Sequence, residues 1–233
     1  MNMKIGIIGS GQIGSTLVRR FRATGHDVIV ANSRGPGSLA DLGRETGART
    51  GWAEEVVRTS ELVVLTIPLK NVASLPPGLF TNAPPGLIVV DTCNYYPRQR
   101  DGRIPDIEAG ITESGWVQKQ IGRHVVKAFN TILAQSLLEN GKPAGAPGRI
   151  ALAIAGDDAD EKTVVMKLID EIGFDTVDAG TILESWRQQP GTPGYCRDFD
   201  IAGVRTALQE AHQARTSEWS GSQNSPGTFE APR

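Results

Sequence analysis

The residues whose types and spacing can do chemistry begin with Gly9-Ser10-Gly11-Gln12-Ile13-Gly14. A short apolar run ends in this Gly-x-Gly-x-x-Gly turn, which passes directly into a helical pattern. Gly9 permits a tight turn off a strand. Gly11 has no Cβ to hold a pyrophosphate away from the backbone, and Gly14 lets the helix pack close to the sheet. The helix start offers unpaired N–H groups and a partial positive charge, with Ser10, Gln12 and Ile13 as further contacts. The implied chemistry is recognition of a dinucleotide through its phosphates. The alternative is a tight βα turn that binds nothing.

A second group is Asn32-Ser33-Arg34. A site for NAD tends to place Asp or Glu about 20 residues after the glycines, where it holds the ribose 2′-hydroxyl. No carboxylate stands there in this chain. Ser33 can donate a hydrogen bond, and Arg34 can make charge-assisted bonds to a 2′-phosphate. A helix starting near Pro36 adds the field of its N-terminus. The segment points to NADP, against a solvated arginine in a turn.

Further candidates lie at strand ends: Thr66-Ile67-Pro68, Thr92-Cys93-Asn94 and Ala128-Phe129-Asn130. Ligands of an open α/β sheet sit off such ends, near the reversal of strand order. Pro68 fixes a turn able to pack against a nicotinamide. Asn94 and Asn130 can hydrogen-bond its ribose or carboxamide, or else serve as caps or Asx turns. Tyr95 and Tyr96 can flank a planar ring or simply pack, and Trp116 and Trp186 carry the same ambiguity. His124 opens a strand, and Lys127 sits inside one. No Ser/His/Asp set and no metal cluster is evident, and no catalytic side chain is assigned. Hydride transfer needs two rings held in contact with water excluded.

These residues need a scaffold of alternating strands and helices. The pattern predicts a helix over 12–24 ending at Gly25, a strand at 28–31, a helix from Pro36 to Gly47, and a short strand at Arg49-Thr50. A short helix at 52–58 precedes the apolar run 62–67, which reads as a strand buried on both faces. Further strands are expected at 87–91, 124–129, 150–156 and 174–177. Helices are expected near 113–120, through Leu133 to Leu138, after the Asp157-Asp158 cap, near 180–188, and through Ile201 to Leu208. Residues 92–123 form the least regular stretch. The expected fold is α/β, a Rossmann-type doubly wound, mostly parallel sheet with a short helical C-terminal segment. Residues 1–180 form the NADP-binding domain. Residues 181–215 supply an acceptor pocket or a dimer contact, and 216–233, rich in Ser, Gly, Gln, Asn and Pro, read as a disordered tail.

Composition narrows the class. A net charge of −2 gives no basic footprint, which argues against nucleic acid as a partner. No apolar run approaches the roughly 18 residues of a membrane span. The first strand starts too early to leave room for a signal peptide. Two cysteines without metal-ligand spacing make no disulfide framework, so a reduced, cytoplasmic compartment is expected.

Several motifs then occur in order. They are Gly9 to Gly14, Asn32-Ser33-Arg34, Thr66-Ile67-Pro68, Val126-Lys127-Ala128-Phe129-Asn130-Thr131 and Ala155-Gly156-Asp157-Asp158, followed by Gly173-Phe174-Asp175 and Val177-Asp178-Ala179-Gly180. Together they resemble the NADP-dependent oxidoreductases that use the deazaflavin coenzyme F-420, and the similar cytosolic domain of the STEAP ferric reductases. The resemblance covers about residues 3–190. It implies that NADPH lies along the glycine turn, with Ser33 and Arg34 on its 2′-phosphate. Thr66 to Pro68 and Ala128 to Asn130 would then lie near the nicotinamide, and hydride would pass directly to the deazaflavin. The segments Asp91 to Arg98 and Trp186 to Pro193 look like a bacterial subgroup of dinucleotide-binding proteins.

The expectation is therefore a homodimeric NADPH-dependent oxidoreductase whose partner is a small-molecule hydride acceptor, coenzyme F-420 or a flavin. The alternatives are a reductase of small carbonyls or imines, and a non-catalytic NADP(H) sensor.

Overall fold

The computed structural model describes residues 2–215 and 227–233. In chain order, β1 (Lys4–Ile8) leads into α1 (Gln12–Ala23), then β2 (Asp27–Ala31), α2 (Ala40–Thr46), β3 (Arg49–Thr50), α3 (Ala53–Thr59), β4 (Leu62–Leu65) and β5 (Ile88–Asp91). Next come α4 (Pro105–Glu108), α5 (Glu113–Ile121), β6 (Val126–Lys127), α6 (Ala134–Glu139), β7 (Ala151–Ile154), α7 (Ala159–Glu171), β8 (Asp175–Asp178) and α8 (Ile201–Glu210). A six-stranded parallel sheet has the order β3-β2-β1-β4-β5-β6. The order reverses between β1 and β4, so the ligand crevice of such a sheet opens at their carboxyl ends.

The apolar strands form because both sheet faces are covered. Leu62 and Val64 face one core, with Leu17, Val18 and Phe21 of α1 and Leu168 and Ile169 of α7. Val63 and Leu65 face the other, with Val56 and Val57 of α3, Leu69, Tyr95 and Trp116. Each such side chain contributes about 1.5–3 kcal/mol on burial. The doubly wound, mostly parallel fold expected from the pattern is the one observed.

Three local features differ from the pattern. β6 keeps only two paired residues, because Phe129 turns left-handed at φ 61° and takes the chain off the sheet edge. β7 and β8 pair in parallel with each other but meet β6 in reverse, through Lys127 N donating to the Ala155 carbonyl (2.7 Å) and Ala155 N donating to the Lys127 carbonyl (3.1 Å). The helix near 180–188 is a 3₁₀ helix, Ile182–Gln188, with Thr181 and Glu184 in a capping box. Of the stretch read as a disordered tail, 216–226 lie outside the described residues. Residues 227–233 lie against the 98–103 loop: Arg98 Nε donates to the Gly227 carbonyl, and the Arg103 guanidinium stacks on Phe229.

Candidate functional site

At the glycine turn, two of the three glycines are explained by packing. Gly9 has φ 114°, and a Cβ there would lie 2.2 Å from the Thr66 carbonyl oxygen. A Cβ on Gly14 would lie 2.1 Å from the Gly9 carbonyl oxygen. Gly11 differs: it has φ −69°, and no protein atom lies within 4 Å of where its Cβ would be. Nothing inside the fold needs glycine there. Gly11 is also the N-cap of α1 and supplies no side-chain cap, and the first turn holds no acidic residue. Its leading N–H groups and the helix dipole are available to phosphate oxygens.

Asn32 organises the next loop. Its Nδ2 donates to Ser10 Oγ (3.1 Å) and Ser38 Oγ (2.9 Å), while its Oδ1 accepts from Arg34 N (2.9 Å). The amide thus ties the glycine turn to the Ser33-Arg34 loop, and Ser33 and Arg34 stay exposed. Among the described residues no carboxylate pairs with the Arg34 guanidinium. Thr66, Ile67 and Pro68 are half-buried beside Gly9.

Asn94 and Asn130 are brought together. Asn130 Nδ2 donates to Asn94 Oδ1 (3.1 Å) and to the Gln188 carbonyl (2.6 Å), and its Oδ1 accepts from Gln188 Nε2 (3.0 Å). Asn130 is buried and its amide is committed internally; Ala128 is fully buried, its N–H donating to the Asp91 carbonyl. Asn94 is half-buried and donates to the Asn130 carbonyl (3.0 Å) and to the Tyr195 hydroxyl (3.4 Å). From β2 to β6, the candidate residues form one row along the carboxyl edge of the sheet.

Beneath that row lies a buried ionic cluster. Lys127 Nζ donates to Asp91 Oδ2 (3.3 Å) and to the Cys93 carbonyl, with Glu113 at 3.9 Å, and all three charged side chains are fully buried. Asp91 also accepts from Ser114 Oγ (2.6 Å) and from Cys93 N (2.8 Å). The cluster fixes the turn that presents Asn94. Burial and the Asp91 charge push the Cys93 thiol well above its ordinary range, which leaves it unreactive.

Of the aromatic candidates, Tyr95 and Trp116 belong to the core, and the Tyr95 hydroxyl donates to the Gly102 carbonyl (2.8 Å). Tyr96 stays at the site, where its hydroxyl meets that of Tyr195. His124 is exposed, and Trp186 lies under the Arg187 guanidinium. Sequence reasoning missed Tyr195, Gln188 and the bridging role of Asn32. Tyr195 sits in the irregular stretch after the expected 180–188 helix and Gln188 at that helix's end, and their partners are 99 and 58 residues away.

No group of His, Cys, Asp and Glu among the described residues forms a metal site, and none of their helices is long and apolar enough to cross a membrane.

Residues 4–95 match the family described as NADP oxidoreductase, coenzyme F-420-dependent. Among solved structures, the chain is similar to the hypothetical protein SMa0349 of Sinorhizobium meliloti, with 31% identity, a TM-score of 0.72, and coverage of 85% of this chain and 95% of that one. It is also similar to a protein from Arthrobacter sp. FB24 described as an F-420-dependent NADP-reductase, with 26% identity, a TM-score of 0.64, and coverage of 78% and 86%. The rat metalloreductase STEAP3 (Rattus norvegicus) is 27% identical over 180 residues, which are 77% of this chain and 34% of that protein. The chain spans half or less of the length of the curated relatives it matches. Residues 4–95 thus match the NADP oxidoreductase, coenzyme F-420-dependent, family, and the chain as a whole is similar to the Sinorhizobium and Arthrobacter proteins over most of its length.

Proposed function

We propose that this protein binds NADPH and passes its hydride to a planar acceptor, coenzyme F-420 or a flavin. The observation that carries the reading is Gly11, a glycine that no packing contact requires, at the uncapped start of α1. Arg34, held out beside it without a carboxylate partner, supports NADP over NAD. NADPH supplies the hydride; the chain's own residues bind and orient it. The α1 N-terminus takes the pyrophosphate, and Ser33 and Arg34 take the 2′-phosphate. Thr66 to Pro68 back the nicotinamide, and Asn94 presents an amide at its edge. The name of the Arthrobacter relative supports F-420 as the acceptor.

In this reading 1–180 is the cofactor domain, and 181–215, whose Gln188 and Tyr195 reach the strand ends, closes the acceptor side. A homodimer is supported by the exposed side chains of Leu133, Leu138 and Leu183, and a reducing, cytoplasmic setting by two free cysteines. The decisive experiment is anaerobic NADPH oxidation with coenzyme F-420, FMN, FAD and a panel of carbonyls and cyclic imines. Turnover with F-420 or a flavin is expected. Turnover with the carbonyl or imine panel alone would replace the acceptor, and tight NADPH binding without any turnover would make the protein a sensor.

A further inference from the structure

We propose that the paired hydroxyls of Tyr96 and Tyr195 are the proton donor of the reduction, placed at the carboxyl ends of β5 and β6. This rests on the hydride-transfer reading and adds an acid to it. Tyr96 follows β5 by five residues, and Tyr195 comes from the segment between the 3₁₀ helix and α8. Their hydroxyls hydrogen-bond each other, and the Tyr195 hydroxyl also accepts from Asn94 Nδ2 at 3.4 Å. The pair is therefore attached to the strand-end row that faces the nicotinamide.

The backbone on both sides is bent to bring it there. Among the described residues only Phe129 (φ 61°) and Cys196 (φ 54°) are non-glycine residues in the left-handed region. One precedes Asn130, the other follows Tyr195, and Cys196 N donates to the Thr131 carbonyl at 2.9 Å. Strained backbone of this kind concentrates at functional sites. The charged and titratable groups facing the pair are Arg100, whose guanidinium lies 5.0 Å from the Tyr96 ring centre, Glu113 and the Cys196 thiol. Burial raises both phenols above their ordinary range, so both stay protonated near neutrality.

Two hydroxyls carry two protons. One lies between the oxygens, and the other is available to a substrate. Hydride with its electron pair leaves nicotinamide C4 for the electrophilic carbon of a conjugated C=N or C=O acceptor. The heteroatom at the other end of that system then takes the phenol proton: an O–H bond breaks and an N–H or O–H bond forms. NADPH is oxidised, the acceptor is reduced, and water returns the proton through the second tyrosine. Arg100 stabilises the transient phenolate.

The test has two arms. The chain contains three tyrosines, so ¹³Cζ-labelled tyrosine gives three signals, with core-bound Tyr95 as the internal control. NADPH is expected to shift the Tyr96 and Tyr195 signals, whereas 2′,5′-ADP, which lacks the nicotinamide half, leaves all three unmoved. NADPH binding without such shifts would overturn the proposal and leave the NADP assignment standing; no NADPH binding at all would remove both. In turnover with the best acceptor of the panel, Tyr195→Phe and Tyr96→Phe should each lower kcat about 100-fold and abolish the solvent deuterium isotope effect, with KM for NADPH unchanged. The double variant should be no slower than the worse single one. Wild-type kcat in Tyr195→Phe, or a change in KM alone, would overturn the proposal.

Discussion

Gly11→Ala separates binding from folding. At Gly11 the backbone angles (φ −69°, ψ −170°) suit alanine, and the added methyl meets no protein atom within 4 Å. The remaining cost is that of alanine at a helix N-cap, about 1 kcal/mol or less. In a chain of this size that lowers Tm by about 2–4 °C. On the ligand side the methyl occupies the approach of the pyrophosphate to the first turn of α1. Each charge-assisted bond lost there is worth about 1.5–3 kcal/mol, so the NADPH Kd should rise about 10- to 100-fold. Gly9→Ala and Gly14→Ala supply the contrast. Their methyls would sit 2.2 and 2.1 Å from backbone oxygens, an overlap that costs about 3 kcal/mol or more and a correspondingly larger fall in Tm. NADPH fluorescence titration and thermal melts on the three variants give both quantities. Wild-type NADPH affinity in a folded Gly11→Ala protein would refute the placement of the dinucleotide.

Arg34→Ala should weaken NADPH binding about 10- to 100-fold and leave NADH binding nearly unchanged, as read by parallel titrations; an unaltered preference would remove Arg34 from the 2′-phosphate. Lys127→Met leaves Asp91 and Glu113 buried without their cation and should destabilise the fold by about 3–5 kcal/mol in urea denaturation. A loss below about 1 kcal/mol would show that water reaches the cluster. The Thr181 backbone N–H and hydroxyl hold the Glu184 carboxyl below its ordinary range. A carboxyl with a depressed folded-state pKa adds stability above its unfolded pKa, and that stability disappears as pH falls through the folded value. Glu184→Gln should therefore flatten the stability profile below about pH 4.5 and leave its slope at neutral pH unchanged.

The cofactor half was legible in the sequence because its signals are local. The glycine turn, the run Leu62–Leu65 and the Asp158 cap each follow from residues a few positions apart. Gln188 of the 3₁₀ helix, by contrast, meets Asn130 from 58 residues away, and Tyr195 meets Tyr96 from 99. Composition and periodicity do not encode such pairings. β6 was overestimated for the same reason. Residues 124–129 read as a strand, but Phe129 turns left-handed, packs edge-on to Phe21 and is followed by Asn130, whose amide donates to the Gln188 carbonyl. Phe229 shows the limit from the other side: in a polar segment its ring lies under the Arg103 guanidinium while its carbonyl accepts from Arg103 N, pairings far apart in the chain.

The Asn32 hub bears on how cofactor preference changes over evolution. Its amide joins Ser10, Ser38 and the Arg34 N–H, and every one of those partners is able to donate a hydrogen bond. An aspartate in the same rotamer accepts all of them, so the loop survives the exchange while the ribose edge becomes acidic. Asparagine and aspartate codons differ by one base. On the NADP reading, the lineage therefore stands a single nucleotide from the carboxylate that selects NAD, with the scaffold for either dinucleotide already in place.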